Sequence, residues 1–325
     1  MGFSRRTVLC FALGAAALHG APCWAAAQTY PTRPVHLIVG FAAGGPSDFV
    51  ARLIGQSLSE RLGQQFVVEN RPGAAGNIAT EVVVKAPPDG YTLLLCSIGN
   101  AVNATLYDKL NFNFIRDIAP VSSLIQTPGV MEVNPSFFAK TVPEFIAYTK
   151  ANPGKINMAT SGPGSSPDIY GALFKKLAGV DLVPVAYRGS GPALIDVIAG
   201  QVPLIFSDLS SSLEHIKAGK LRPLAVTSAT RLDALPGIPA LAEFLPGYEA
   251  SAWTGICAPG NTPKEVIERV NREVNGVLAD RKMKERFAEF GASNLGGSSS
   301  DFGKLIADET EKWAEVVRSS GMKPE

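Results

Sequence analysis

Between His36 and Leu62 the chain reads HLIVGFAAGGPSDFVARLIGQSLSERL, and this stretch narrows the fold to one class. The apolar run His36–Val39 is short enough for a single buried strand. Gly40-Phe41-Ala42-Ala43-Gly44-Gly45 follows as a turn in which backbone can approach another group closely. Pro46, Ser47 and Asp48 open a helix whose Phe49, Val50, Leu53, Ile54, Leu58 and Leu62 recur at helical spacing before Gly63 stops it. Such a unit is a ready anion site, because the first N–H groups of the helix lack internal partners and the dipole is positive there. A single glycine turn is a weak signal that also fits a tight connection, so its weight comes from repetition.

The unit recurs. Phe66–Glu69 reads as a second strand, and Gly73-Ala74-Ala75-Gly76-Asn77 as another glycine turn before a helix near 78–85. Tyr91–Cys96 is a third strand with Ser97-Ile98-Gly99-Asn100 as the loop at its end. A β-α-β-α-β order argues for a parallel sheet covered by helices. Ile118–Ile125 reads as a strand interrupted at Thr127-Pro128-Gly129 and resumed at Val130–Val133, a place for the chain to cross between domains. Ile156–Ala159 runs into Thr160-Ser161-Gly162-Pro163-Gly164-Ser165-Ser166-Pro167 and a helix. Leu182–Ala186 leads to Tyr187-Arg188-Gly189-Ser190-Gly191-Pro192 and a short helix, and Leu204–Phe206 leads to Ser207-Asp208. The proline-rich tract 235–247 is a second crossing region, and three helices close the chain.

Four strand ends, 40–48, 97–100, 160–168 and 187–192, thus carry Gly, Ser, Thr or Asn; the first, third and fourth feed helix N-termini. Ligands of open α/β sheets sit beyond the carboxyl ends of the strands. Neutral hydroxyls and N–H groups there suit a small carboxylate without a buried counter-ion. Ordinary connecting loops are the competing reading.

The chain has 325 residues, 46% of them hydrophobic, which is more than one typical domain needs. Residues 1–27 read as a secretory signal: Arg5-Arg6, an apolar run Val8–Leu18, then Ala25-Ala26-Ala27. Ser4-Arg5-Arg6-Thr7-Val8-Leu9 is also twin-arginine-like, and the apolar run is too short to span a bilayer. Cleavage near Ala27 removes two of the 30 basic side chains and none of the 29 acidic ones, leaving 28 against 29 and a formal net charge of −1. That balance points to no nucleic acid or anionic membrane partner. Of the four cysteines Cys96 and Cys257 remain, each in an apolar run. In an oxidising compartment they can pair, but two separate buried thiols are the favoured expectation.

Catalytic readings are poorly supplied. Outside the signal only His36 and His215 remain, neither Ser165 nor Ser190 is flanked as a nucleophile elbow requires, and HExxH, CxxC, GxGxxG and GxxxxGK[ST] are all absent. No cofactor or metal is expected. Asp48, Asp168 and Asp208 read as helix caps or ligand contacts rather than as acids and bases.

FAAGGPSD, ENRPGAAGN, PDGYTLLL, YRGSGPAL, AGKLRPLAVTSATR and LPGYEASAW, in that order along nearly the whole exported chain, resemble motifs of the Bug family. These are extracytoplasmic receptors of tripartite tricarboxylate transporters. The resemblance implies a type II periplasmic-binding-protein fold: two α/β lobes, 28–127 plus 249–325 and 128–248, joined by two crossings with the ligand cleft between them. It implies a monomeric, non-enzymatic periplasmic receptor for a small organic acid, delivering it to membrane transporter subunits. Carried over residue by residue, the ligand site comprises Phe41, Gly44, Gly45, Ser47, Asp48, Gly76 and Ser97, faced by Ser161, Gly164, Ser165, Asp168, Gly189, Ser190 and Asp208. Three positions depart from the family pattern: Gly40 for proline, Asp168 for histidine, and Ser207-Asp208 for Asp-Asn. A carboxylate at Asp168 is expected to favour a ligand with one carboxylate and a neutral or cationic far end. The alternatives are a hydrolase or isomerase of small carboxylates on the same scaffold, and a sensor that docks on a signalling partner.

Overall fold

The structure is a computed structural model and describes residues 30–324; the expected signal at 1–27 lies outside these. The elements run β1 (Val35–Val39), α1 (Pro46–Leu62), β2 (Phe66–Asn70), α2 (Asn77–Val84), β3 (Thr92–Ser97), α3 (Ile98–Leu106), α4 (Phe114–Asp117) and β4 (Ile118–Val133). After these come α5 (Val142–Ala151), β5 (Ile156–Thr160), α6 (Ser166–Ala178), β6 (Leu182–Ala186), α7 (Ser190–Ile198), β7 (Leu204–Asp208), α8 (Leu209–Lys217) and β8 (Arg222–Val226). The last are β9 (Ser251–Pro259), α9 (Lys264–Ala279), α10 (Arg281–Glu289), β10 (Ser293–Asn294) and α11 (Ser299–Ser320).

The strands form one connected sheet in the order β2-β1-β3-β9-β4-β7-β5-β6, with β8 and β10 added beside β4. β1, β2 and β3 pair in parallel, as do β5, β6 and β7. β1 and β3 are almost wholly buried, as parallel strands covered on both faces must be. Pro184 is tolerated in β6 because that strand lies at the sheet edge, where a missing N–H breaks no ladder.

β4 is one unbroken strand of 16 residues, not two strands separated at Thr127-Pro128-Gly129. It changes partners at that point instead. Residues 118–128 pair antiparallel with β9, and 129–133 pair with β7 and β8. Pro128 is the last residue of β4 paired with β9, opposite Ser251, at the point where the strand changes partners.

Thr227 ties the two chain crossings together. Its N–H donates to Gly129 O at 2.8 Å, its Oγ1 accepts from Gly129 N at 2.7 Å, its O accepts from Ala250 N at 2.9 Å and its Oγ1 donates to Ala250 O at 2.6 Å. The ring of Tyr170 lies against Gly129 so closely that a Cβ there would sit 2.5 Å from it. α11 spans both halves of the sheet, packing on α3 and α6, with Trp313 fully buried and Lys176 bonded to Glu315 at 2.6 Å.

Two further expectations are corrected. Cys96 and Cys257 form a disulfide, with Cα atoms 6.1 Å apart. β3 and β9 are antiparallel neighbours, in register Leu94↔Cys257 and Cys96↔Gly255, so the two apolar runs that carry the thiols lie side by side. The loop expected at 97–100 is the first turn of α3; Ser97 ends β3 and serves as its N-cap, with Asn100 Oδ1 accepting from Ser97 N at 2.8 Å.

Candidate functional site

Six helices begin at a residue that offers them neither a side-chain cap nor a capping box: α8 at Asp208, α9 at Pro263, and, at the loops expected to hold the ligand, α1 at Gly45, α2 at Gly76, α6 at Ser165 and α7 at Gly189. Ser165 has a hydroxyl, but turns it to Gly162 O at 2.6 Å. The first-turn N–H groups of these helices are therefore left for some other acceptor. α3 differs, since Asn100 closes a box on Ser97.

The loops are linked by close packing. A Cβ on Gly40 would meet Gly76 Cα at 2.7 Å, which is why glycine stands at the end of β1. Gly73, Ala74, Ala75 and Gly76 all have positive φ, 133°, 45°, 50° and 90°. Such strain in the two alanines needs support from its surroundings. Asn103 on α3 supplies some of it, donating from Nδ2 to Ala75 O at 2.9 Å and to Asn77 Oδ1 at 3.1 Å. The other half of the fold reaches this point through Gly164. A Cβ there would lie 2.8 Å from Leu106 Cδ2 and 3.2 Å from Asn103 Oδ1. Gly40, Gly76, Asn77, Asn103 and Gly164 thus form one chain of contacts from the first loop to the 161–165 loop. The 187–190 loop joins through Ser161 and Ser190, whose hydroxyls lie 2.9 Å apart, and through Tyr187 N, which donates to Thr160 O at 2.9 Å.

The expected site residues fall into distinct environments. Phe41 is 42% exposed, Gly44 is exposed, and Gly45 and Ser47 are half-buried. Nothing lies within 4 Å of where a Cβ would project from Gly44 or Gly189, so both face open space. Ser97, Ser161, Ser165 and Ser190 are half-buried, while Gly76 and Gly164 are buried.

The three carboxylates are all engaged. Asp48 Oδ2 accepts from Gly44 N and from Arg52 Nε, each at 2.9 Å, and Arg52 holds its carboxyl below the usual range. Asp168 Oδ2 accepts from Gly164 N at 3.0 Å; burial lifts its carboxyl to about 6. Asp208 Oδ1 accepts from Tyr170 Oη at 3.0 Å, and burial lifts this carboxyl to about 6 as well. Asp168 turns to its own loop, and its geometry gives no separate ground for a monocarboxylate preference.

Three positions that sequence reading passed over stand out. Asn77 Nδ2, Asn103 Oδ1 and Thr254 Oγ1 are buried without a hydrogen-bond partner in the structure. A buried polar atom left unpaired costs about 1–3 kcal/mol. Asn77 and Asn103 lie on the contact chain, and Thr254 pairs in register with Ser97. The one signal available was a second amide, Asn103, in the run AVNATL, whose other residues are apolar except Thr105. Among the described residues no group of three or more His, Cys, Asp or Glu is placed to hold a metal, and no helix is long and apolar enough to cross a membrane.

A sheet in two halves, with uncapped helix N-termini at the strand ends of each, defines a two-lobe solute-binding protein. Residues 50–322 match the family described as the tripartite tricarboxylate transporter family receptor, TctC, and the chain belongs to that family. It is 37% identical to protein BugT of Bordetella pertussis over 300 residues, covering 91% of this chain and 92% of that one. Its structure is similar to that of R. palustris Rpa4515 with adipate, at TM-score 0.84 and 36% identity, covering 91% of this chain and 100% of the other. MatC from Rhodopseudomonas palustris with bound malate matches at TM-score 0.81 and 31% identity, covering 89% and 100%.

Proposed function

We propose that the protein is a non-enzymatic periplasmic receptor that captures a small organic carboxylate between its two lobes and delivers it to a tripartite tricarboxylate-type membrane transporter. In this reading residues 28–127 with 249–325 form one lobe and 128–248 the other. The observation that carries it is the set of uncapped N-termini at α1, α2, α6 and α7, two in each of the lobes so proposed, with the hydroxyls of Ser161, Ser165 and Ser190 at the latter two. Oriented N–H groups stabilise an anion without a buried counter-charge that would be costly when the site is empty. Phe41 supplies an exposed apolar surface beside them. The relatives solved with adipate and malate support the ligand class.

The test is a thermal-shift screen of mono- and dicarboxylates, followed by calorimetry on any hit and mass spectrometry of acid carried through purification. A ligand that binds the folded state alone raises the melting temperature, by about 2.7 kcal/mol of added stability at a hundredfold excess over Kd. Recovery of the acid unchanged is expected; steady turnover of it by the pure protein would overturn the reading.

A further inference from the structure

α1 and α6 start with the same device. Gly44 N donates to Asp48 Oδ2 at 2.9 Å, and Gly164 N donates to Asp168 Oδ2 at 3.0 Å. In each case the acceptor lies four residues after the glycine, a proline stands in the first helical turn, and the glycine has positive φ, 82° and 73°. The first intrahelical bonds also correspond, Phe49 N to Gly45 O and Ile169 N to Ser165 O, both at 3.0 Å. The two carboxylates are nearly as buried as each other, at 4% and 8% exposure.

We propose that Asp48 and Asp168 are matched positioning residues, each drawing back one loop amide so that the neighbouring helix N-terminus stays open to the ligand, and that the 128–248 lobe holds the acid-sensitive copy. This rests on the carboxylate-receptor reading above. Because the carboxylate accepts from the glycine and not from the helix, it fixes the turn while leaving the first-turn N–H groups free. A conventional N-cap would take those N–H groups for itself.

The copies differ four residues further along. Arg52 Nε bonds Asp48 Oδ2, whereas the corresponding position after Asp168 is Ala172, buried and uncharged. Lys175, on the same helix, acts on Asp168 only through its field. From the end of β7 comes Asp208, bonded to Tyr170 on α6, and from α11 comes Glu315, already paired with Lys176. α3 brings Val102, Asn103 and Leu106, none charged, against Gly164. Burial therefore decides the outcome at Asp168, with its carboxyl raised to about 6, while Asp48 is held down. A charge-assisted hydrogen bond is roughly twice as strong as a neutral one, so protonation loosens the Gly164 tie and leaves the Gly44 tie intact.

The experiment uses the exported chain labelled with nitrogen-15, followed by NMR from pH 5 to 8, with adipate, malate and benzoate as probes in calorimetry. The Gly164 amide resonance is expected to titrate near pH 6 and the Gly44 amide to stay flat. Asp168→Asn should remove the Gly164 titration and bind the probe within about threefold of the parent, because an amide oxygen still accepts; Asp168→Ala should weaken binding about tenfold or more. A Gly164 amide that does not move, a titration that vanishes in Asp208→Asn but persists in Asp168→Asn, or parent-like binding by Asp168→Ala would each overturn the proposal. The amide titration of the parent protein decides the matter even if the alanine variant fails to fold. Failure of the parent to bind any probe counts against the carboxylate reading and leaves the amide titration to judge this one.

Discussion

Glu132 is fully buried in β4, and replacing it with glutamine should change how stability depends on pH. Its Oε1 accepts from Ser207 Oγ at 3.1 Å and from Ser212 Oγ, while Oε2 is buried without a partner. Burial lifts the carboxyl from its ordinary 4.5 to about 8, the serine bonds offsetting only part of that. The native group therefore keeps its proton across neutral pH, while the unfolded chain gives it up. Stability from this group is complete below pH 4.5, falls by about 1.4 kcal/mol per pH unit as pH rises, and levels off above 8. By pH 7.5 the accumulated loss is about 4 kcal/mol, a large share of the 5–15 kcal/mol typical of a whole domain. Glu132→Gln abolishes the titration but leaves a buried amide donor short of partners, at about 1–3 kcal/mol. Urea unfolding from pH 5 to 8.5 should show the parent at least as stable at pH 5 and the variant gaining on it steadily to pH 8. Asp168 and Asp208 titrate in the same direction but are present in both proteins, so the difference curve isolates Glu132. A difference that stays constant from pH 5 to 8 would refute a buried neutral carboxyl.

Other consequences are separable from this one. Cys96→Ala with Cys257→Ala opens a loop of 161 residues and should lower stability by about 5 kcal/mol in the chain-entropy account, read from urea midpoints; the unmodified protein denatured without reductant should show neither thiol free to a thiol reagent. Gly129→Ala drives a methyl into the Tyr170 ring and Thr227 Oγ1 and should cost about 1–3 kcal/mol, visible as a lower melting temperature. Arg52→Ala removes the bond that most lowers the Asp48 carboxyl, so the Gly44 amide, followed to lower pH than the experiment above, should titrate at a higher pH in the variant than in the parent.

What could be read from the sequence was what is local. HLIVGFAAGGPSD encodes a strand, a glycine turn and a helix start within 13 residues, and the structure forms each where the periodicity places it. The same holds for β5 into α6 and β6 into α7. Local signals misled where they were mixed: Ser97-Ile98-Gly99-Asn100 carries the residues of a loop, yet Asn100 uses its amide to close the cap of α3. Pro128-Gly129 carries the residues of a break, yet β4 passes straight through because partners on either side take over its ladder. The disulfide was hidden for the same reason, since only the pairing of β3 with β9 brings together thiols 161 positions apart.

The carboxylates show the limit most sharply. Asp48 and Asp168, each in the first turn of a helix, read equally well as caps or as ligand contacts. Their distinguishing feature is an N–H four residues upstream, and the turn that brings it within reach depends on positive φ at Gly44 and Gly164. Gly164 can take that conformation only because it has no Cβ to strike Leu106 and Asn103 on the other half of the fold. One glycine thus sets its own loop and that loop's fit against α3. Any residue larger than glycine at 164 should disturb ligand capture and the seating of α3 together, whereas a change at Gly44, which faces open space, should disturb its own loop and ligand capture and leave α3 in place.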